Sequence, residues 1–296
     1  MPRVPDEYLR CIVYLYTSIP AAEAGEMIGG TGFIVRLDEN GVSFHYVVTN
    51  KHVVRKGGST VRFNTLEGVH EAVEYDKQNW FTAQKADLAV YLMPADLGRF
   101  NFRPISIDEF ITQEIITRYD LGIGDDVFFS GRFINAEGKD RNRPSLRFGT
   151  IAQADTDLID GEESYLVEAR SISGYSGSPV FFYIEGNASR GINKHLTFTE
   201  PAGPWLLGVD WSHINDYVDA KDRTGVTLPF QVRSNSGMMG VVPVWQLEAL
   251  LSRKDVKEQR AKDPRNDRAA TPDVAGAAAS RDASLNTAAR KRPPGT

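Results

Sequence analysis

Ser176 lies in "SISGYSGSPVFF", residues 171–182, with Gly174 two positions before it, Gly177 directly after it, and Pro179 opening an apolar run. A serine hydroxyl is a poor nucleophile until a base takes its proton. That base in turn needs an acid to hold its tautomer. Attack on a carbonyl also creates an oxyanion, best held by backbone N–H groups aimed at one point. Gly174 lets the chain turn so that its own N–H and that of Ser176 point the same way, and Gly177 leaves room beside the hydroxyl. Ser171, Ser173 and Ser178 fit this pattern less well. A Gly-x-Ser-Gly by itself is a weak motif, and the competing reading is a polar residue in a glycine-rich loop before a strand.

Five histidines can supply the base. His52, in "YVVTNKHVVRK", follows an apolar strand at once, where a side chain is held rigidly yet can reach a cleft. His45 lies within that strand, His70 and His195 read as surface residues, and His213, just after "GVDWS", stays open as a cleft residue. Asp87, in "QKADLAVYLM", is the candidate acid because it leads directly into an apolar strand, where its carboxylate can be buried against an imidazole. A strand-leading turn aspartate is the plainer reading of such a residue. Asp76 and Asp96 are the alternatives, though neither leads into so long an apolar strand.

These residues must be positioned by short strands. "CIVYLYTS", "GFIVRL", "FHYVVTN", "DLAVYLM", "DDVFFSGRF", "YLVEA", "SPVFFYI", "LLGVDW" and "GVVPVW" are β-branched or aromatic runs bounded by Gly, Asp, Asn or Pro, the strand signature. Helical periodicity is clear only around "VWQLEALLSRK". Many short strands with little helix predict an all-β sandwich or barrel.

The chain has 296 residues, with 34 Lys+Arg and 39 Asp+Glu. Residues 253–296 hold 11 Lys+Arg and 6 Asp+Glu, which leaves 23 and 33, a net −10, in residues 1–252. An acidic body argues against a chain devoted to nucleic acid. Large apolar residues are nearly absent beyond Lys262, so residues 255–296 are expected to form a disordered, charged Ala/Pro-containing tail. The single cysteine, Cys11, cannot form an internal disulfide, which points to a reducing compartment. "CIVYLYTSIPAA" has the small-residue ending of a signal peptide, but Asp6 and Glu7 precede it, so it reads as a first strand. No stretch reaches the ~18 apolar residues needed to cross a bilayer. The expectation is a soluble cytoplasmic protein with no membrane partner. No metal-ligand or phosphate-loop pattern is present, and the chemistry above needs no cofactor.

Taken in order, "GGTGFIV", "VVTNKHVV", "ADLAVYL", "GDDVFFSG" and "SGYSGSPVF" resemble the trypsin-like peptidases. The set is similar to the disulfide-free bacterial branch that includes the high-temperature-requirement proteases and glutamyl endopeptidases. The resemblance runs over roughly residues 9–250. It implies a peptidase domain over 1–252 built from two packed six-stranded Greek-key β-barrels, about 9–110 and 120–245, and a C-terminal helix about 244–254. It also implies a serine endopeptidase acting on protein or peptide substrates. His52 would be the general base, Asp87 its orienting acid and Ser176 the nucleophile, with Gly174 and Ser176 giving the oxyanion-hole N–H groups. By the same resemblance Arg170, Ser171, Asp210, Trp211, Ser212 and His213 would line the pocket for the residue preceding the cut. Arg170 and Asp210 could instead neutralise each other inside the wall. Two positions depart from the family. Tyr175 stands where secreted trypsins carry the aspartate that pairs with a newly cut N-terminus, and Ser178 replaces a common glycine. No appended peptide-binding domain is recognisable. The alternative reading is a latent or inactive member of the fold acting as a binding or scaffold protein, opened by a protein partner that orders the oxyanion loop.

Overall fold

Two strand systems divide the chain, and the first strand sends its apolar residues alternately to two cores. The computed structural model describes residues 4–26, 28–133, 138–159, 161–184, 189–190, 196–197 and 202–266. The first system comprises β1 (Ile12–Tyr16), helix α1 (Ile19–Ala24), β2 (Ile28–Glu39), β3 (Val42–Thr49), helix α2 (Lys51–Arg55), β4 (Thr60–Asn64), β5 (His70–Glu74), β6 (Phe81–Thr82), β7 (Ala89–Leu92) and β8 (Ile105–Ser106). The strands pair in the order β5-β4-β1-β2-β3-β7-β6, with β8 added in parallel to β2.

Successive strand side chains point to opposite faces. In β1, Val13 and Leu15 join a cluster with Ile34, Val47, Val61, Phe63 and Ala89, confined to this first system. Ile12, Tyr14 and Tyr16, with Phe33, Val35, Tyr46, Val48 and Val90, join the larger core shared with the second half. The sheet is therefore covered on both faces, which is why β1 is buried at all five positions and "CIVYLY" shows no polar alternation. Cys11 is buried, its thiol donating to the Tyr8 carbonyl at 3.0 Å.

After helix α3 (Gln113–Tyr119) come β9 (Asp126–Gly131), β10 (Ser145–Ile159), β11 (Glu162–Glu168), β12 (Pro179–Ile184), the two-residue pair β13 (Ser189–Arg190) and β14 (Leu196–Thr197), β15 (Ala202–Lys221) and β16 (Thr227–Pro243). Six of these close on themselves as β10-β11-β16-β15-β12-β9. Pro179 opens β12, a position where a missing N–H is tolerated in a paired strand. β15 and β16 stay paired outward as far as Lys221 opposite Thr227, forming a two-stranded arm whose Tyr217, Val218, Phe230 and Val232 are exposed.

The all-β architecture in two halves agrees with the expectation. The halves differ in detail: the second has six strands in a closed ring, whereas the first has eight, and its pairing path ends at β5 and β6. The added strands β6 and β8 are two residues each, too short to show in the hydrophobic pattern.

Helix α4 (Val244–Leu251) begins where the periodicity predicted. The expected tail from 255 onward starts differently, because Lys254–Ala261 forms helix α5. Val256 is buried, and Arg260, only 3% exposed, donates to Glu39 Oε2 at 2.7 Å, to the Tyr46 hydroxyl at 3.0 Å and to the Leu251 carbonyl at 2.9 Å. A charged segment thus docks on β2 and β3 through one buried cation with partners. Residues 267–296 of the expected tail lie outside the described residues. Among the described residues no helix is long and apolar enough to cross a membrane.

Candidate active site

Strand β3 ends at Thr49, and Asn50 starts α2, so His52 occupies the first turn of a short helix fixed to the sheet by buried Val53 and Val54. Asn50 is an N-cap by position, yet its side chain does not cap the helix. Its Nδ2 donates instead to the Asp87 carbonyl at 2.9 Å. Lys51 adds a second tie to the same loop, its Nζ donating to the carbonyls of Ala83 at 3.3 Å and Ala86 at 2.9 Å. Asp87 leads into β7, and its side chain is 8% exposed. Its Oδ1 accepts the His52 backbone N–H at 2.9 Å, and its Oδ2 lies 2.5 Å from His52 Nδ1. Both carboxylate oxygens are spent on one histidine, which fixes the ring with Nε2 directed away from the acid.

The Ser176 turn is held from both halves of the molecule. The Thr31 N–H donates to the Ser176 carbonyl at 2.9 Å, and Thr31 Oγ1 donates to the Gly174 carbonyl at 2.6 Å. Gly174 has φ +99° and Gly177 has φ +91°, a region that L side chains rarely enter. At Gly177 a Cβ would also lie 2.1 Å from the Thr31 carbonyl oxygen. Tyr175 is wholly buried between them; its hydroxyl bonds that of Ser145, its ring meets Phe129 edge-on, and the Arg147 guanidinium lies 4.9 Å from its centroid. The N–H groups of Tyr175 and Ser178 bond within the turn, to the carbonyls of Ile172 and Tyr175, and that of Gly177 donates to the Asp210 carbonyl of β15. Among the described residues no backbone carbonyl accepts from the N–H of Gly174 or Ser176.

A cleft of about 750 Å³ joins these parts. His52, Asp87, Gly174, Ser176, Trp211, Ser212 and His213 all line it, together with Gly29, Ser173, Glu162, Arg233 and the cations of α2 and its end. Burial raises the Glu162 carboxyl; Lys51 draws it back down and the Asp87 charge pushes it further up. Burial lowers His213, and Arg233 beside it acts in the same direction.

The remaining pocket candidates are placed elsewhere. Arg170 is exposed, and its carbonyl accepts from Arg147 at 2.8 Å. Asp210 is fully enclosed, and its Oδ2 accepts from Ser171 Oγ, also buried, at 2.7 Å. Arg170 and Asp210 do not pair, and the lining of the cleft includes Trp211, Ser212 and His213 but not Arg170, Ser171 or Asp210. The cause is backbone pairing. Asp210 donates its N–H to the Ser178 carbonyl and accepts the Gly177 N–H, which draws it beneath the turn. Enclosure without a cation raises its carboxyl to about 7, against the bonds from Ser171 and the Ser212 N–H.

The rival candidates have other tasks. His45 packs edge-on against Phe102, and the His70 ring bonds the Asp140 carbonyl. Asp76 accepts from the Gln78 N–H of a short turn, and Asp96 lies beside Arg99 on the surface. His195 lies outside the described residues. Sequence reasoning missed Asn50, Lys51 and Thr31. "TNKH" and "GGTG" contained the signal, because a polar residue between apolar strand ends must find a partner once buried. Among the described residues no group of three His, Cys, Asp or Glu side chains gathers as metal ligands.

The Ser176 turn and a histidine bonded through two atoms to a buried carboxylate line one cleft, the parts that acyl transfer requires. Among curated protein sequences none matches the chain significantly. Among solved structures, the tobacco etch virus protease complexed with product is 13% identical, covers 86% of this chain and 82% of its own, and has a TM-score of 0.41. Human heparin binding protein is 10% identical, covers 84% of this chain and 93% of its own, and has a TM-score of 0.45. The sequence matches the trypsin-like peptidase domain over residues 30–188, more than half of the chain, so the chain belongs to that family.

Proposed function

We propose that the chain is a serine endopeptidase. Ser176 Oγ attacks a peptide carbonyl carbon, and His52 Nε2 takes the hydroxyl proton. The carbonyl π electrons move to oxygen, and the resulting oxyanion receives hydrogen bonds from the N–H groups of Gly174 and Ser176. When the tetrahedral species collapses, the C–N bond breaks and His52 gives its proton to the departing amine. An acyl group remains on Ser176. Water then repeats the sequence, losing a proton to His52 and releasing the acid and the free hydroxyl. Asp87 steadies the imidazolium in both halves of the cycle.

The observation that carries this reading is the pair of hydrogen bonds between Asp87 and His52, at 2.5 and 2.9 Å, on the cleft that also holds the Ser176 turn. A surface histidine needs no buried carboxylate committed to it on two atoms. The test is hydrolysis of an unfolded protein substrate such as casein. The wild type should cleave it, and Ser176→Ala should lose cleavage while keeping its circular dichroism spectrum and melting temperature. Cleavage retained by a folded Ser176→Ala protein would remove Ser176 from the mechanism.

A further inference from the structure

The cleft has the opposite charge from the body that surrounds it. Residues 1–252 are net acidic. Yet Lys51, Arg55, Lys56 and Arg233 line the cleft against only two carboxylates, Asp87 and Glu162. Asp87 is committed to His52, and the Lys51 charge acts on Glu162 while its Nζ is tied to two carbonyls. The charge left to meet a bound polypeptide is that of Arg55, Lys56 and Arg233.

The chemistry tells the two sides of the cleft apart. His52 must protonate the departing amine, so the polypeptide after the cut leaves past His52. Arg55, the last residue of the same short helix, and Lys56, which caps its C-terminus, stand three and four residues after His52, and both are exposed. Positions so spaced share a helix face, with Cβ atoms about 5–6 Å apart. An extended chain advances about 3.5 Å per residue. Departing residues one to about three positions beyond the cut therefore pass within reach of both cations.

Resting on the peptidase reading, we infer that the enzyme selects polypeptides with Asp or Glu among about the first three residues on the departing side of the scissile bond. Arg55 and Lys56 are the specificity-determining residues. Their exposure makes the selection salt-sensitive.

The experiment is digestion of a proteome-derived peptide library by the full chain, with cut sites read by mass spectrometry at low and high salt. Fluorophosphonate labelling of Ser176 is followed in parallel. The wild type should enrich Asp and Glu about five- to tenfold among the first three departing residues, as one or two exposed ion pairs allow. The enrichment should shrink at high salt. The double variant Arg55→Glu/Lys56→Glu should turn the preference toward Lys and Arg, and Arg55→Gln/Lys56→Gln should flatten it without reversal, which separates charge from misfolding. A labelled, cleaving wild type with neutral or basic departing residues would overturn this inference alone. So would acidic enrichment that persists in both variants. A folded wild type that neither labels nor cleaves would overturn the peptidase reading, and this inference with it.

Discussion

Asn50 does not cap the helix it precedes. Its amide holds the Asp87 carbonyl while the Asp87 carboxylate holds His52, so three side chains form one chain of orientation. Asn50 is a positioning residue in the proposed mechanism. Asn50→Ala leaves a buried carbonyl without its donor, which costs about 1–3 kcal/mol. It should lower kcat with little change in KM, because ring orientation matters most when the proton moves; an unchanged kcat would contradict this. Asp87→Asn keeps the shape but not the charge, and kcat should fall on the order of 10⁴-fold. Asp210 gives a separate pH signature. Its folded value near 7 lies above that of an ordinary carboxyl, so the folded chain holds this proton to higher pH. Stability from Asp210 is complete below about pH 4 and declines as pH rises toward 7. Melting temperatures over this range should fall more steeply in the wild type than in Asp210→Asn, which keeps an acceptor for Ser171. Parallel curves would show that Asp210 titrates normally.

At the scale of elements, the Ser176 turn depends on contacts from a strand in the other half. Thr31 of β2 binds the carbonyls of both Gly174 and Ser176, and Gly177 must pass close to the Thr31 carbonyl with a left-handed backbone. Gly177→Ala should cost at least about 2 kcal/mol in chemical denaturation. It should also slow Ser176 labelling, since β2 and the turn would have to separate. Much of this was legible in the sequence. "SGYSGSP" carried the turn, "NKH" and "KAD" carried the histidine and its acid, and the apolar runs marked most strands. The two-residue β6 and β8 left no periodic trace. The enclosure of Ser171 and Asp210 could not be read because it follows from how β15 pairs with the turn, a long-range register rather than a local pattern. In α5, charge suggested solvent, but burial there rests on Arg260 meeting Glu39 and Tyr46, residues far away in the chain.

At the scale of the whole molecule, the proposed site belongs to neither half alone. His52 and Asp87 come from the helix and the loop that flank strands of the first half, the Ser176 turn from the second half, and the larger apolar core runs between the halves. Helix α5 ties the end of the described chain back to β2 and β3, so it braces the first half after the second is complete. Arg260→Ala leaves the buried Tyr46 hydroxyl without its donor, whereas the Glu39 carboxylate is 41% exposed and can be met by water, so the loss should be about 1–3 kcal/mol. A drop in melting temperature with Ser176 labelling retained below the transition would match a bracing role; unchanged melting would contradict it. The central claim is that Ser176 is activated by His52 and Asp87 across these two halves. Its most direct test is the labelling rate of purified protein by a fluorophosphonate probe, with Ser176→Ala and His52→Ala alongside. The account predicts labelling in the wild type, none in Ser176→Ala and a loss of at least about a hundredfold in rate in His52→Ala. Folded wild-type protein that takes up no probe, or a His52→Ala protein labelled as fast as wild type, would contradict it.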